Sequence, residues 1–570
     1  MSTNKQREAP SKRLFAMLLI FSLSAIALIA RAVNLQVMET DFLQGQGKAR
    51  YLREVAIPST RGVISDRNGE PLAVSTPVDS VWVNPRQLLE YPEKIKPLAK
   101  LLGSDADDIE RKLTQRASKE FVWLRRRLNP NLAAQISKLR TPGVYLQKEY
   151  RRFYPAGSIA AHVIGFTNID DVGQEGLELA YDSWLAGSPG LKRVVRDRKG
   201  QTVEEAVLVK EANPGKDLHL TIDKRLQYLA YRELQSTVLK HGARSGSVVV
   251  LDVESGEVLA MVNLPSYNPN DPGHDTDGMR NRAVTDVIEP GSVMKPIAMA
   301  SILENHIASP TTAVDTAPGW IVISGHTIRD HRDYGTLDAT GIITKSSNVG
   351  ITKLALQLEP KQMWNTYNRF GFGEATGTGF PGESAGVLRN YQRWRRLEQA
   401  TIAFGYGVSA TPLQLAQAYA AIADGGKLHQ PAFILGSNNP PISAIDPGIA
   451  HELARMLETV PTMEGTGKLA RVANYRIAGK TGTSHKVSAS GYAAARYVAS
   501  FAGFGPASRP RLVCVVVIND PTGEEYYGGQ VAAPLFSRVM TGALRLLNIP
   551  PDDYPGMLVK SADGKQGTKS

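Results

Sequence analysis

A serine and a lysine three positions apart, Ser292 and Lys295, stand in the run Glu289-Pro-Gly-Ser292-Val-Met-Lys295-Pro296. On a helix that spacing puts both side chains on one face. An unprotonated lysine amine there can take the serine hydroxyl proton and make the oxygen a nucleophile. The pair alone is not specific, since Ser2 and Lys5 repeat it in a charged N-terminal tail. Around Ser292 the context differs. Pro290-Gly291 supplies a turn before a helix, and the positions that follow (Val293, Met294, Ile297, Ala298, Met299, Ile302) are apolar nearly all round, which predicts a buried helix. Further on stands Lys480-Thr481-Gly482-Thr483, the sole Lys-Ser/Thr-Gly in the chain. Ser346-Ser347-Asn348 lies between the two. Other Ser-x-Asn triplets begin at Ser2, Ser266 and Ser437; only Ser346 falls between the other elements.

The elements that must hold these residues can be outlined from the same pattern. Residues 218–222 read as a short strand, and residues 226–238 as a helix. A hairpin follows at residues 247–253 and 258–262. Helical stretches carry Ser292 and Ser346, and another spans residues 412–423. Strands return at residues 476–481, 498–503 and 512–518. Helices between two groups of strands predict one α/β domain whose sheet draws on both ends of the segment. A boundary is expected near Ala212-Asn-Pro-Gly-Lys216. Before it, residues 40–230 are charged, strand-rich and turn-punctuated, as in an extended spacer and docking domain.

Residues 14–30 carry no charge and are mostly apolar, with Lys5, Arg7, Lys12 and Arg13 ahead of them. That predicts a membrane anchor with a cytoplasmic N-terminus. A cleaved signal peptide ending at Ala30-Arg-Ala32 is the rival, but apolar residues resume at Val33, Leu35 and Val37. A net charge of +11 suits a surface facing anionic lipid or cell wall. No aromatic-basic module supports nucleic-acid binding. The single cysteine, Cys514, sits in an apolar strand and reads as core; no disulfide or metal site can be built from it. His162 stands alone, and Gly479-Lys480-Thr481 lacks the earlier glycine of a phosphate loop, Asn474 standing there. The Gly377-Thr-Gly379-Phe-Pro-Gly382 run reads as a turn.

Ser-x-x-Lys, Ser-x-Asn and Lys-Thr-Gly in this order resemble the motif set of penicillin-binding proteins and serine β-lactamases. The wider sequence resembles class B penicillin-binding proteins, most closely the division-specific FtsI type. That likeness extends to Arg61-Gly-x-x-x-Asp66-Arg67-Asn68-Gly69, Tyr154-Pro-x-Gly157, His162-x-x-Gly165, Leu220-Thr-Ile-Asp223 with Gln227, Asn281-Arg282-Ala283, and Gly405-Tyr406-Gly407 with Thr411-Pro-Leu-Gln414. No glycosyltransferase domain fits before residue 230, unlike bifunctional class A proteins.

The resemblance implies a penicillin-binding transpeptidase fold, α/β (α+β), with an antiparallel sheet flanked by helices. A strand-rich N-terminal domain and one transmembrane helix precede it. The expected division is a cytoplasmic tail (1–13), anchor (14–37), pedestal or dimerisation-type domain (38–215), transpeptidase domain (216–550) and flexible tail (551–570). It implies D,D-transpeptidation of nascent peptidoglycan with D-Ala-D-Ala stems. Ser292 would attack the penultimate D-Ala carbonyl. Lys295 would be the base, its pKa lowered by burial and by Lys480. Ser346 would relay a proton, and Asn348 would hold Lys295 and substrate backbone. Lys480, Thr481 and Thr483 would face the substrate carboxylate, and Gly482 would let a backbone edge approach. The N–H groups of Ser292 and Thr483 would form an oxyanion hole. Tyr406, Tyr526, Tyr527 and Gly528 are expected along the cleft, and Asp66, Arg67 and Gly69 in structural roles. No metal or organic cofactor is implied. The partners implied are an FtsW-type septal glycosyltransferase, other divisome membrane proteins and β-lactam inhibitors. The location implied is the bacterial inner membrane, single-pass, with the catalytic domain periplasmic. Elongation-type transpeptidation, carboxypeptidase or β-lactamase-like hydrolysis, an inactive penicillin-binding scaffold and a conditionally used second copy remain as alternatives.

Overall fold

The computed structural model describes residues 12–40, 52–196, 202–437, 439–488 and 491–553. The expected cytoplasmic tail, save Lys12 and Arg13, and the flexible tail beyond Asp553 lie outside them. The chain divides into two compact units, Met1–Thr60 with Gly187–Pro214, and Arg61–Ala186 with Gly215–Ser570.

In the first unit, an α-helix spans Lys12–Val33 and continues as one wide turn, Asn34–Met38. The continuous stretch Lys12–Met38 has 27 residues, none of them buried. At ~1.5 Å per residue it exceeds a hydrocarbon core of ~30 Å, so it is long and apolar enough to cross a membrane. Three antiparallel strands, Leu52–Ile57, Gly190–Arg196 and Thr202–Lys210, form the rest.

The second unit is built on a five-stranded antiparallel sheet in the order Val258–Leu264, Ser245–Asp252, Leu512–Asn519, Gly491–Gly505, Ala478–Ser488. Both faces are covered, so alternate side chains enter different cores. Val513, Val515 and Val517 pack into the larger core, with the helices Lys295–Glu304 and Pro412–Ala423. Leu512, Cys514, Val516 and Ile518 pack into the other, with Lys224–Lys240 and Gly528–Leu546. Burial pushes the Cys514 thiol pKa up, which keeps it protonated and inert. The sheet does draw on both ends of the segment. Its strands run longer than the sequence pattern marked, because the tight hairpin of Ala478–Ser488 and Gly491–Gly505 extends pairing past the apolar run. Residues 218–222 are the opposite case: only Leu218–His219 pairs as a strand, in parallel with Ile64–Ser65.

Residues 61–186, expected in the spacer, share the compact unit with the transpeptidase region. Strand Pro71–Val83 pairs with Val122–Leu128 and Val144–Phe153, and short helices cover a separate small core that includes Val81, Leu98, Leu113 and Ile136. The motif residues in this part fasten chain to chain. The Asp66 carboxylate accepts from the N–H groups of Asn68, Glu70 and Lys224 at 2.8, 2.8 and 3.0 Å, tying the Asn68-Gly69 turn to a helix start. Gln227 donates to Ile159 O and Met261 O and accepts from Met261 N. His162 is buried with Nε2 2.9 Å from Gly278 O; desolvation lowers its pKa to about 4, so it is a neutral core residue.

Candidate active site

Ser292 does not sit on an α-helix. It lies in a single 3-10 turn, Gly291–Met294, and the α-helix begins at Lys295. Pro296 has no N–H to give the Ser292 carbonyl the bond an α-helix would place there; Lys295 N donates to it instead. In a 3-10 turn positions i and i+3 eclipse, so the expected pairing of side chains holds for a different reason. The predicted burial holds as well: every residue from Lys295 to Leu303 is buried.

Two close approaches fix this turn. Gly405 has φ +87°, and a Cβ there would lie 2.1 Å from Gly291 O; Gly291 N donates to Gly405 O at 3.1 Å. Gly482 serves the other side. A Cβ on it would come within 2.4 Å of Ser500 Oγ, 2.9 Å of Val293 Cγ1 and 3.0 Å of Pro290 O. The absent Cβ of Gly482 also has an inward role. Its missing side chain faces inward and lets the Ala478–Ser488 strand press against the nucleophile turn. That strand is the sheet edge.

Ser346 departs from expectation too. It joins two helices, Ala339–Lys345 and Asn348–Ala355, in a left-handed conformation with φ 61°. Ser347, rather than Ser346, caps the second helix, accepting from Gly350 N at 2.8 Å. The kink aims both polar atoms of Ser346 at Lys295.

Around the lysine the contacts are short. Lys295 Nζ is 3.1 Å from Ser292 Oγ, 2.5 Å from Ser346 O, 3.1 Å from Ser346 Oγ and 2.8 Å from Asn348 Oδ1. The Ser346 carbonyl and the Asn348 amide oxygen can only accept. A neutral amine gives them its two N–H groups and keeps its lone pair for a serine hydroxyl. The pKa of Lys295 is lowered to about 7; burial is the cause, opposed by the Asp330 carboxylate. The expected contribution of Lys480 is not among those causes. The repulsion is felt by Lys480, whose pKa falls well below the ordinary lysine value, through burial first and Lys295 second. Lys480 Nζ lies 2.9 Å from Ser346 Oγ and 3.2 Å from Thr481 O. One hydroxyl thus bridges two buried amines.

Asp330 and His331 had no motif to announce them. Asp330 accepts from Ser347 Oγ, Asn348 N and Val349 N at 2.5, 2.5 and 3.0 Å and so holds the Ser346–Asn348 corner. Asn348 Nδ2 donates to Arg329 O at 2.9 Å, so its amide nitrogen is engaged by the chain itself. His331 lines the cavity, its pKa lowered by burial and then by Lys295.

The cleft holds about 600 Å³. Ser292, Ser346, Asn348, Thr481 and Thr483 line it, with Tyr406, Tyr526 and Tyr527. Tyr497 stacks on Tyr526 at 4.2 Å, and Tyr526 meets Tyr527 at 4.4 Å. The Tyr406 hydroxyl accepts from His485 N at 3.3 Å. Gly528 is not part of the lining; its N–H donates to Thr483 Oγ1 at 2.9 Å. Thr466, Lys468 and Met463 also line the cavity and carried no sequence signal, being common residue types in irregular chain or, for Lys468, in a short 3-10 turn. Of the residues expected at the catalytic cleft, all except Gly482 and Gly528 line one cavity or, as Lys295 and Lys480 do, bond to its lining.

Residues 246–541 match the family described as Penicillin binding protein transpeptidase domain, and residues 56–220 match Penicillin-binding Protein dimerisation domain. The Escherichia coli K12 protein named peptidoglycan D,D-transpeptidase FtsI is 43% identical over 547 residues, covering 94% of this chain and 92% of that protein.

The chain belongs to the FtsI-type class B penicillin-binding proteins.

A probable peptidoglycan D,D-transpeptidase, PbpC, from Pseudomonas aeruginosa is also 43% identical, over 95% of this chain and 96% of its own length. Among solved structures, a peptidoglycan synthetase from Bifidobacterium adolescentis aligns with TM-score 0.71 at 26% identity, over 89% of this chain and 98% of that one. The transpeptidase domain of Burkholderia pseudomallei penicillin-binding protein 3 aligns with TM-score 0.54 at 42% identity, over 58% and 97%. The arrangement at Ser292 brings together a hydroxyl, a buried amine of lowered pKa and a bridging hydroxyl.

Proposed function

We propose that Ser292 is the acyl-carrying nucleophile of a peptidoglycan D,D-transpeptidase acting at the division septum. The enzyme cross-links stem peptides and is acylated by β-lactams. The observation that carries this reading is the set of partners of Lys295 Nζ, two acceptor-only oxygens and a serine hydroxyl within 3.1 Å, which leaves a lone pair for the proton of Ser292.

Ser292 Oγ attacks the carbonyl of the penultimate D-Ala while Lys295 takes its proton. The N–H groups of Ser292 and Thr483 receive the developing oxyanion. Ser346 passes the proton to the departing amine, and terminal D-Ala leaves. Asn348 keeps Lys295 aimed. Lys480, with the hydroxyls of Thr481 and Thr483, faces the substrate carboxylate, whose negative charge restores the ammonium form that burial disfavours. The inward-facing hydrogen of Gly482 keeps the edge strand close enough for the substrate backbone to pair with it.

The domain division in this reading is a cytoplasmic tail (1–13), an anchor (14–37), a pedestal (38–215), the transpeptidase domain (216–550) and a tail (551–570). The anchor crosses the inner membrane once with Lys5, Arg7, Lys12 and Arg13 on the cytoplasmic side, and the catalytic unit works in the periplasm. Its partners are an FtsW-type glycosyltransferase and other divisome membrane proteins.

Labelling the purified chain with a fluorescent penicillin tests the chemistry. A stable adduct, absent in Ser292→Ala, is expected. Fast decay of the adduct would make the protein a hydrolase, and no adduct on folded protein would leave an inactive scaffold.

A further inference from the structure

Transpeptidation has a second substrate, the stem whose amine takes the acyl group from Ser292, and its place follows from the symmetry of the two half-reactions. In the first, the Ser292 Oγ–C bond forms, the C–N bond to terminal D-Ala breaks, and the amine leaves with a proton. In the second, a new C–N bond forms, the ester C–O bond breaks, and the amine proton returns to Ser292 Oγ through Ser346 and Lys295. By microscopic reversibility the incoming amine occupies the position of the outgoing one. The carboxylate end of the leaving residue is marked by Lys480 and Thr481. Beyond Thr481 the wall is Thr466, the two hydroxyl oxygens being 2.8 Å apart, and Thr466 is tied down by its N–H to Thr344 O at 3.3 Å. Tyr497, Tyr526 and Tyr527 line the same cleft, their rings stacked on one another.

We propose that the acceptor stem lies over residues 463–469, with Lys468 pairing to a carboxylate of that amine-bearing peptide. The proposal rests on the acyl-enzyme reading above. This segment gives the cavity exposed apolar surface beside a cation: Met463 is 72% and Leu469 46% exposed, and both line the cavity with Lys468 between them in chain order. Among the described residues no carboxylate lines the cleft, and Lys468 makes no ion pair. The neighbouring Glu464 is held by Lys345, 2.8 Å away. An exposed ammonium with apolar neighbours and no acidic group beside it selects a peptide that carries a carboxylate at a distance from its amine.

The test uses the full chain acylated by a thioester donor, with partition between aminolysis and hydrolysis as the readout. Two acceptors are compared, a peptide with a primary amine and a free carboxylate, and the same peptide amidated at that carboxylate. Wild type should prefer the free carboxylate by about fivefold, the size of an exposed ion pair. Lys468→Glu should abolish or reverse that preference, read as the ratio of the two acceptors' aminolysis on the same acyl-enzyme, and Lys468→Arg should keep it. An unchanged preference in Lys468→Glu would overturn the proposal, as would equal losses of acylation and aminolysis. A wild-type chain that never acylates would overturn the underlying reading and this site with it.

Discussion

Two of the places where the second unit buries cationic side chains surround them differently. Glu178 lies between Arg61 and Arg152, with Nε–O distances of 2.6 Å to each, and Arg61 also reaches Asp182 at 2.8 Å. At the cleft, Lys295 and Lys480 face hydroxyls, carbonyls and one amide, and Asp330 acts on Lys295 only from a distance. Desolvation works against the charged form in both places. Around Arg61, Glu178 and Asp182 outweigh it, and the guanidinium pKa is raised. Around the lysines nothing does, and both pKa values fall. The same burial therefore yields a structural clamp where carboxylates are supplied and a base where they are withheld.

Three substitutions or conditions would break or sharpen that contrast. The largest effect is expected at Lys295→Met, which removes the base: penicillin acylation should fall by roughly 10⁴-fold, measured as the second-order acylation rate. Thermal stability should change less than in the next variant, because a buried amine that folding discourages from charging is removed. Glu178→Ala should do the reverse. Two guanidinium groups lose their buried partner, at about 3–5 kcal/mol, read by denaturant unfolding, with acylation per folded molecule preserved. A Glu178→Ala protein of unchanged stability would remove the clamp from the comparison.

The smallest effect is graded with pH. Lys295 accepts a proton only when neutral, and its pKa is about 7, so acylation should level off above about pH 7 and drop tenfold per unit below it. The folding linkage has a consistent sign. A lysine of depressed folded pKa binds fewer protons in the native state than in the unfolded one between about 7 and its ordinary value. Its contribution therefore raises stability as pH rises through that window. An acylation rate flat from pH 5 to 9 would show that another group is the base.

Much of the site was legible because its residues are rare in combination and ordered along the chain. Ser292, Lys295, Ser346, Asn348 and Lys480 all reach the cleft floor or wall. What the pattern missed had local causes. Pro296 converts the expected helical start at Ser292 into a 3-10 turn, and the left-handed Ser346 breaks a stretch that reads as helix. The packing of Gly482 against the nucleophile turn was not legible either, because motif strings do not say which neighbour a missing Cβ would strike. Asp330 and His331 belong to a loop, and Lys468 to a single 3-10 turn, Lys468–Ala470, so no periodicity could single them out.

The sequence by itself determined the nucleophile and its base as candidates, the apolar strands and helices of the sheet unit, and a stretch long enough to cross a membrane. All of these rest on residue type and on spacing within a few positions. Only the tertiary structure decided that Ser346 bridges two lysines, that Asp330 braces the Ser346–Asn348 corner, and that Lys295 lowers the proton affinity of Lys480 rather than the reverse. Those facts depend on distances between residues 51 and 134 positions apart in the chain and on how much water burial removes. Neither is fixed before the sheet closes.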